Sequence, residues 1–223
     1  MRLLVVGNNR EFQEFKEKFG GAHELTHHSN HYNIIENVES FDAIFDFLIS
    51  EEPETFGFYE DFEGLNLFVN APKITLAELA FFNDTNAINL FGFNGLPTFL
   101  NREVLEVSLL KEDTTDLLKS LCDSLGTDFQ LVDDRVGMVT PRIIFMVINE
   151  AFYTVQEGTA SKEDIDQGMK LGTNYPFGPF EWAEKIGIDN IYELLEALYE
   201  DTKEERYKIC PALKKSYLKL NQQ

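Results

Sequence analysis

The four histidines lie close together and could either carry protons or bind a metal ion. They fall within nine residues of one another, at His23, His27, His28 and His31. On a helix, His23, His27 and His31 would share one face, as the ligands of a metal site do. The flanking residues favour strand or loop instead, and Asp or Cys partners are missing. We therefore expect a surface cluster that changes charge between about pH 5 and 7, and no metal site.

The turn after the first predicted strand is the candidate phosphate-binding loop. Dinucleotide folds use Gly-x-Gly-x-x-Gly there, because glycines let the backbone and a helix N-terminus approach the pyrophosphate. Of these glycines only Gly7 is present; Asn9 tolerates a left-handed turn. Phe12 would obstruct close packing, and Glu11 would put negative charge beside a phosphate. The ribose-binding acid should follow about 20 residues later, and Glu24 is the nearest candidate. We expect Gly7 and Asn9 to bind NAD weakly or not at all.

The acidic composition limits the partners that the protein can bind. The net charge is −20, and residues 1–133 carry 8 Lys+Arg against 24 Asp+Glu, a net of −16. Nucleic acid and anionic membrane surfaces both require a basic surface, so we expect neither as a partner. A polyanion such as coenzyme A would need local basic residues. The candidates, which could equally be solvated charges, are Lys208, Lys214, Lys215 and Lys219.

Cysteine usage and the longest apolar stretch indicate the compartment. Cys122 and Cys210 are far apart and form no metal or disulfide motif, which fits a reducing environment. Residues 2–6 read as a strand without a basic leader region, so we expect no secretory signal. The apolar stretch 143–148 is far too short to cross a bilayer. We expect a soluble, cytoplasmic protein.

The apolar pattern predicts an α/β part followed by an all-helical part. Short apolar runs predict strands at 2–6, 24–27, 43–48, 65–69, 87–93, 104–110 and 129–132. Helical spacing predicts helices at 10–19 and 114–125, which completes an α/β layer. Further on, we expect helices that begin at the caps Thr140, Ser161 and Asp189 and at Pro211, with no strand. The predicted domains are therefore residues 1–133 and 134–223.

Short blocks between residues 134 and 215 carry a resemblance to a known family. The blocks are Gly137-Met138-Val139, Asn149-Glu150-Ala151, 157–161, 164–166, 169–172, 176–181 and Arg206-Tyr207. Their order and spacing resemble the C-terminal helical domain of 3-hydroxyacyl-CoA dehydrogenases. Residues 1–133 resemble that family's dinucleotide-binding domain in outline, with only residues 51–64 in place of a long helical insertion. The resemblance implies a shortened Rossmann-like parallel sheet domain followed by a helical domain.

The resemblance also implies which positions should carry the chemistry. In the family a His removes the hydroxyl proton while NAD takes the hydride, and a Glu orients that His. Glu106 matches the Glu, and Phe91 aligns with the His. The family Ser and Asn match Pro72 (or Lys73) and Pro141, and proline offers no side-chain hydrogen bond. We therefore expect Glu106 to be the one catalytic residue retained, and the general base to be lost.

Three functions remain open at this point. The first is a module that binds acyl-CoA, through residues such as Asn70, Asn94 and Phe177, or dimerises through the helical domain, without oxidising anything. The second is an NAD-dependent 3-hydroxyacyl-CoA dehydrogenase with a rearranged site or a companion subunit. The third is a structural paralogue without a ligand. We favour the first and expect a homodimer.

Overall fold

The computed structural model describes residues 1–33 and 38–220 and divides the chain into two compact units, Met1–Met138 and Val139–Gln223. The division falls five residues after the predicted boundary at residue 133. The reason is that residues 134–138 are bonded to the first unit. The Asp134 carboxylate accepts from the backbone N–H groups of Leu76 and Ala77 at 2.8 and 2.9 Å. The Gly137 N–H donates to the Pro72 carbonyl at 2.6 Å.

The first unit is built on one seven-stranded sheet. Its strands are β1 Arg2–Val6, β2 Glu24–His28, β3 Ala43–Asp46, β4 Asn66–Asn70, β5 Asn89–Phe93, β6 Val104–Leu109 and β7 Asp128–Leu131. Their order is β2-β1-β3-β4-β5-β6-β7, and every neighbouring pair is parallel except β5–β6. The predicted Rossmann-like α/β class is confirmed. The chain direction of the sheet reverses between β5 and β6.

Helices cover both faces of this sheet, so both faces are apolar. The helices of the unit are α1 Asn9–Phe19, α2 Leu76–Phe82 and α3 Thr115–Leu125. Side chains of α1 and α3 share one core cluster, and those of α2 share the other with the 3-10 helix Pro53–Phe58. The rings of Phe45, Phe68 and Phe91 stack along the first face, with centroids 4.5 and 4.8 Å apart. This aromatic layer accounts for part of the chain's excess of phenylalanine.

The second unit is helical throughout its described residues, as predicted. Its helices are α4 Thr140–Gln156, α5 Lys162–Thr173, α6 Pro179–Ile186, α7 Ile188–Thr202 and α8 Pro211–Leu220. In the part of the chain that the structure describes, no helix combines the length and apolarity that a membrane crossing needs.

Two of the predicted caps of this unit differ from the structure. Ser161 caps α5 as expected, accepting from the Asp164 N–H at 3.1 Å. Thr140 is itself the first residue of α4 rather than its cap. Asp189 lies inside α7, because Gly187 ends α6 and precedes α7 with a φ of 104°. Glycine populates this region readily, so the two helices need only one residue between them.

Candidate functional site

Glu106 and Asn94 form a cross-strand pair at the point where the sheet reverses direction. The β5–β6 register pairs Phe93 with Val107, so Asn94 stands directly opposite Glu106. The Asn94 N–H donates to the Glu106 carbonyl at 3.1 Å, and the Asn94 side-chain Nδ2 donates to Glu106 Oε2 at 3.2 Å. The sequence analysis predicted both as site residues but did not predict that they contact each other.

Phe91, which the sequence aligned with the family histidine, does not lie beside Glu106. It faces Leu109 across the hairpin and is fully buried in the aromatic core. Side chains alternate between the two faces of a strand, so Phe91 and Glu106 point to opposite faces of the sheet. The residue that meets Glu106 is Asn94. Its amide is neutral and cannot serve as a proton acceptor near neutral pH.

One hydrogen-bonding atom of the pair has no partner. Asn94 is 2% exposed, and its Oδ1 is buried without a hydrogen bond. An ionised carboxylate only accepts hydrogen bonds, so Nδ2 must face Glu106 and Oδ1 is the atom that is left over. A buried acceptor without a partner is unfavourable by about 1–3 kcal/mol.

Asn70 lies next to this pair, whereas Phe177 belongs to the other unit. Asn70 Oδ1 accepts from the Gly95 N–H at 2.9 Å, one residue after Asn94. A Cβ on Gly95 would come within 2.7 Å of Phe93, so only glycine fits there. Phe177 packs against Trp182, with ring centroids 5.9 Å apart. Substrate contact by any of these residues stays a prediction.

The amide donors at the start of α1 are largely bonded within the chain. Asn8 Oδ1 accepts from the N–H groups of Arg10 and Glu11 at 2.9 and 3.1 Å. In return, Glu11 Oε2 accepts from the Asn8 N–H at 2.7 Å. Asn9 is the first residue of the helix, not the left-handed turn residue that the sequence suggested. A carboxylate thus occupies the place where a helix N-terminus receives an anion.

Burial changes the protonation of that carboxylate. The pKa of Glu11 is raised from 4.5 to about 7, chiefly by burial and also by the nearby Asp46 and Glu51, against the opposing effects of the Asn8 N–H bond and of Lys73. Gly7 makes room for the group, since a Cβ there would lie 2.6 Å from Glu11 Oε2. The missing side chain of Gly7 therefore leaves space for the Glu11 carboxylate, as it would for a phosphate.

The end of β2 is filled by a ring stack. His27 Nε2 donates to the Gly7 carbonyl at 2.7 Å, and its ring stacks on Phe12 at 4.2 Å. Glu24, the candidate ribose ligand, is the first residue of β2 and pairs with Arg2. It therefore lies at the amino end of the strand, whereas ligands of this fold bind outside the carboxyl ends.

His31 corrects the prediction of a surface histidine cluster. It is 2% exposed, and its Nε2 lies 2.7 Å from Asp46 Oδ2. The same oxygen accepts from the Tyr59 hydroxyl at 2.7 Å, while Asp46 Oδ1 accepts from the N–H groups of Leu48 and Ile49. Burial, reinforced by Asp46, raises the pKa of Tyr59 well above its ordinary value.

Asp46 is the buried polar residue that the sequence interpretation missed. Its signal was an acidic residue inside the otherwise apolar run that predicts the strand 43–48. Within residues 1–33 and 38–220, no three His, Cys, Asp or Glu side chains are grouped as metal ligands would be.

Sequence comparisons match both parts of the chain. A family model described as 3-hydroxyacyl-CoA dehydrogenase, C-terminal domain, matches residues 137–221. A probable 3-hydroxybutyryl-CoA dehydrogenase of Bacillus subtilis is 33% identical over 148 residues, which are 66% of this chain and 52% of that protein. A 3-hydroxyadipyl-CoA dehydrogenase of Escherichia coli is 44% identical over 87 residues, 39% of this chain and 18% of that protein. The chain thus matches about half of the length of the first relative and less than a fifth of the second.

Solved structures share the fold over nearly the whole chain. The (S)-3-hydroxybutyryl-CoA dehydrogenase PaaH1 from Ralstonia eutropha superposes with a TM-score of 0.69 at 20% identity, covering 96% of this chain and 92% of that one. FadB2 of M. tuberculosis gives a TM-score of 0.72 at 16% identity with the same coverage. At these identities the likeness concerns the architecture alone.

Proposed function

We propose, on the premise that this chain belongs to the 3-hydroxyacyl-CoA dehydrogenase family, that it binds a 3-hydroxyacyl-CoA, or dimerises, without oxidising any substrate. The family membership rests on the helical C-terminal domain and on the relatives matched across the sheet domain. The fold and the family suggest an acyl-CoA ligand. The absence of oxidation follows from the chemistry of the site.

The contact between Asn94 Nδ2 and Glu106 is the observation that carries the proposal. Family members place a His–Glu pair at the reacting hydroxyl, and here the side chain that bonds Glu106 across the β5–β6 pair is an amide. An amide cannot remove the hydroxyl proton as hydride leaves. Losing a general base alone slows a reaction by a factor of roughly 10² to 10⁴.

The start of α1 supports the same conclusion from the cofactor side. The residues there do not fit a dinucleotide, because the Glu11 carboxylate and the Asn8 side chain already bond the N–H groups that a pyrophosphate would use. An ionised Glu11 would also repel the phosphates. We derive no hydride-transfer step, and weak or absent NAD binding is part of the proposal.

The unpartnered Asn94 Oδ1 supports a hydroxylated ligand. A 3-hydroxyl group can donate a hydrogen bond to this atom. A 3-keto group offers only acceptor lone pairs and would leave the buried oxygen unpaired. We therefore assign a preference for the hydroxy form of the thioester over the keto form.

Assembly as a homodimer through the helical unit is part of the proposal. Ile143, Leu171 and Leu218 of that unit are 57%, 78% and 48% exposed and are offered as the apolar contacts of the dimer. We place this assembly in the cytoplasm, where the two buried cysteines would remain reduced.

The second candidate is an active NAD-dependent 3-hydroxyacyl-CoA dehydrogenase whose site is completed by another group or a companion subunit. The observation in its favour is that Glu106 is retained and is held by a cross-strand partner. A structural paralogue without any ligand is the third candidate, and it predicts that neither thioester nor cofactor binds.

Calorimetric titration with 3-hydroxybutyryl-CoA, acetoacetyl-CoA and NADH separates these candidates. We expect the hydroxy thioester to bind about tenfold more tightly than the keto thioester, since one hydrogen bond differs between them. Asn94→Leu should remove this preference, whereas the matched control Asn86→Leu, at an exposed turn position, should keep it.

The same protein should show no reduction of acetoacetyl-CoA by NADH. Steady turnover that disappears in Glu106→Gln would establish the second candidate and overturn the proposal. Binding of neither thioester would leave the structural paralogue.

A further inference from the structure

Helix α2 ends in two phenylalanines whose rings lie in solvent. Phe81 and Phe82 are 81% and 80% exposed, and their rings touch edge to face at 4.9 Å. The same helix buries Leu76 and Leu79 in the core, so its packing on the sheet does not need the two rings. A phenylalanine can bury some 150–250 Å² of surface, and adjacent exposed aromatic rings are typical of an interaction site.

Phe82 borders a groove that could receive an apolar side chain. The groove has a volume of about 400 Å³ and lies entirely within the first unit. Its apolar lining comes from Phe82 and from Pro53, Ile74 and Leu79. The remaining lining residues are Glu54, Glu78 and Asn83. The site therefore combines an apolar floor with carboxylates.

The charge around the groove restricts what it can bind. Residues 51–84, which include every lining residue, contain eight acidic side chains and one basic side chain, Lys73, while Lys111 reaches the carbonyls of Thr85 and Asn86 from outside this range. Lys73 is itself paired with Glu51. Beside the groove, Glu60 accepts from the N–H of Asp84, which brings a further carboxylate close. Coenzyme A and anionic lipid surfaces would be repelled there, whereas a cationic partner would be attracted.

We propose that this groove is the docking site for a cationic amphipathic segment of a partner protein. Apolar side chains of the segment would pack on Phe82, and its Lys or Arg residues would face Glu54 and Glu78. Amphipathic helices commonly bind such grooves by their apolar face. A second copy of the chain, docked by the same surface, would bring the two acidic rims together and is disfavoured. The inference is independent of the acyl-CoA proposal.

The probe is a fluorescein-labelled, 18-residue peptide of Leu and Lys spaced as an amphipathic helix, titrated by anisotropy. We expect Phe82→Ser to weaken its binding about tenfold, as expected for the loss of one well-buried apolar side chain. Glu54→Gln should weaken binding about threefold at low salt and have little effect at 1 M salt, where charges are screened beyond about 3 Å.

Matched exposed variants provide the controls. Leu131→Ser, on β7, and Asp116→Asn, on α3, make comparable chemical changes at other exposed positions and should leave binding unchanged. Circular dichroism checks that every variant is folded.

Equal binding by Phe82→Ser and the parent protein would overturn the proposal. Equally tight binding of a peptide with Glu in place of Lys would do the same. So would self-association in sedimentation that Phe82→Ser abolishes, because that result assigns the surface to a second copy.

Discussion

Asp46 and Asn94 are both buried polar residues at strand ends of one sheet, yet their hydrogen bonding differs. Asp46 receives two backbone N–H groups and lies within hydrogen-bonding distance of His31 and Tyr59. Asn94 leaves its Oδ1 unpaired. A fully bonded group has nothing to offer a ligand and serves the fold, whereas an unpaired one keeps a binding capacity at a cost in stability. The hydrogen bonds of Asp46 therefore serve the fold, whereas a role of Asn94 in ligand binding stays a proposal.

The largest effect is expected for Asp46→Ala. It leaves the Tyr59 hydroxyl and two backbone donors without their acceptor in a dry interior, so the free energy of unfolding should fall by about 3 kcal/mol or more. Urea unfolding followed by circular dichroism measures this. Asp116→Ala, at an exposed position on α3, should stay within about 0.5 kcal/mol of the parent. A loss of less than about 1 kcal/mol for Asp46→Ala would remove the contrast.

A smaller, pH-dependent effect is expected at Glu11, which lies near Asp46. Its folded pKa of about 7 exceeds the ordinary 4.5, so the folded protein binds the proton more tightly than the unfolded chain does. The stabilisation is therefore present below about pH 4.5 and is lost as the pH rises through 7. Relative to Glu11→Gln, the parent should lose about 2 kcal/mol between pH 5 and 8, after a discount for partial exposure. Parallel stability curves for the two proteins would contradict this.

The smallest effect on stability is expected for Asn94→Leu. The change removes one hydrogen bond to Glu106, but it also removes the unpaired Oδ1, so the free energy of unfolding should change by about 1 kcal/mol or less. Urea unfolding of this variant beside Asp46→Ala tests the comparison directly. Equal losses in the two variants would show that Asn94 is as structural as Asp46.

Much of the fold could be predicted because it depends on local patterns. Apolar runs located every strand of the sheet, β1 has the predicted ends, and α8 begins at Pro211 as predicted. The resemblance of short blocks did not show that β5 and β6 are antiparallel. It also did not show to which face of the sheet each side chain points. The alternation of side chains along a strand does predict the site. Phe91 and Phe93 share the apolar face with Val107, so Glu106 lies on the opposite face with Asn94.

The histidines show where local reasoning ends. Nothing near His31 in the sequence indicates burial, since its partner Asp46 lies 15 residues away. The two side chains meet because β2 and β3 both pair with β1. The residues that follow β2 therefore come within reach of Asp46 at the end of β3. Likewise, the N-terminus of α1 is capped within the chain, because Glu11 lies three residues after Asn8 and forms a capping box with it. The glycine pattern did not indicate this box.

The carboxylate of Asp134 determines where the two halves of the molecule can be separated. A truncated protein that stopped at residue 133 would release the first amides of α2, and the α2 face that packs on the sheet would lose an anchor. A fragment that ran to Met138 would keep both this bond and the one from Gly137 to Pro72. These five residues thus carry three hydrogen bonds that hold the end of the first unit to α2 and to Pro72.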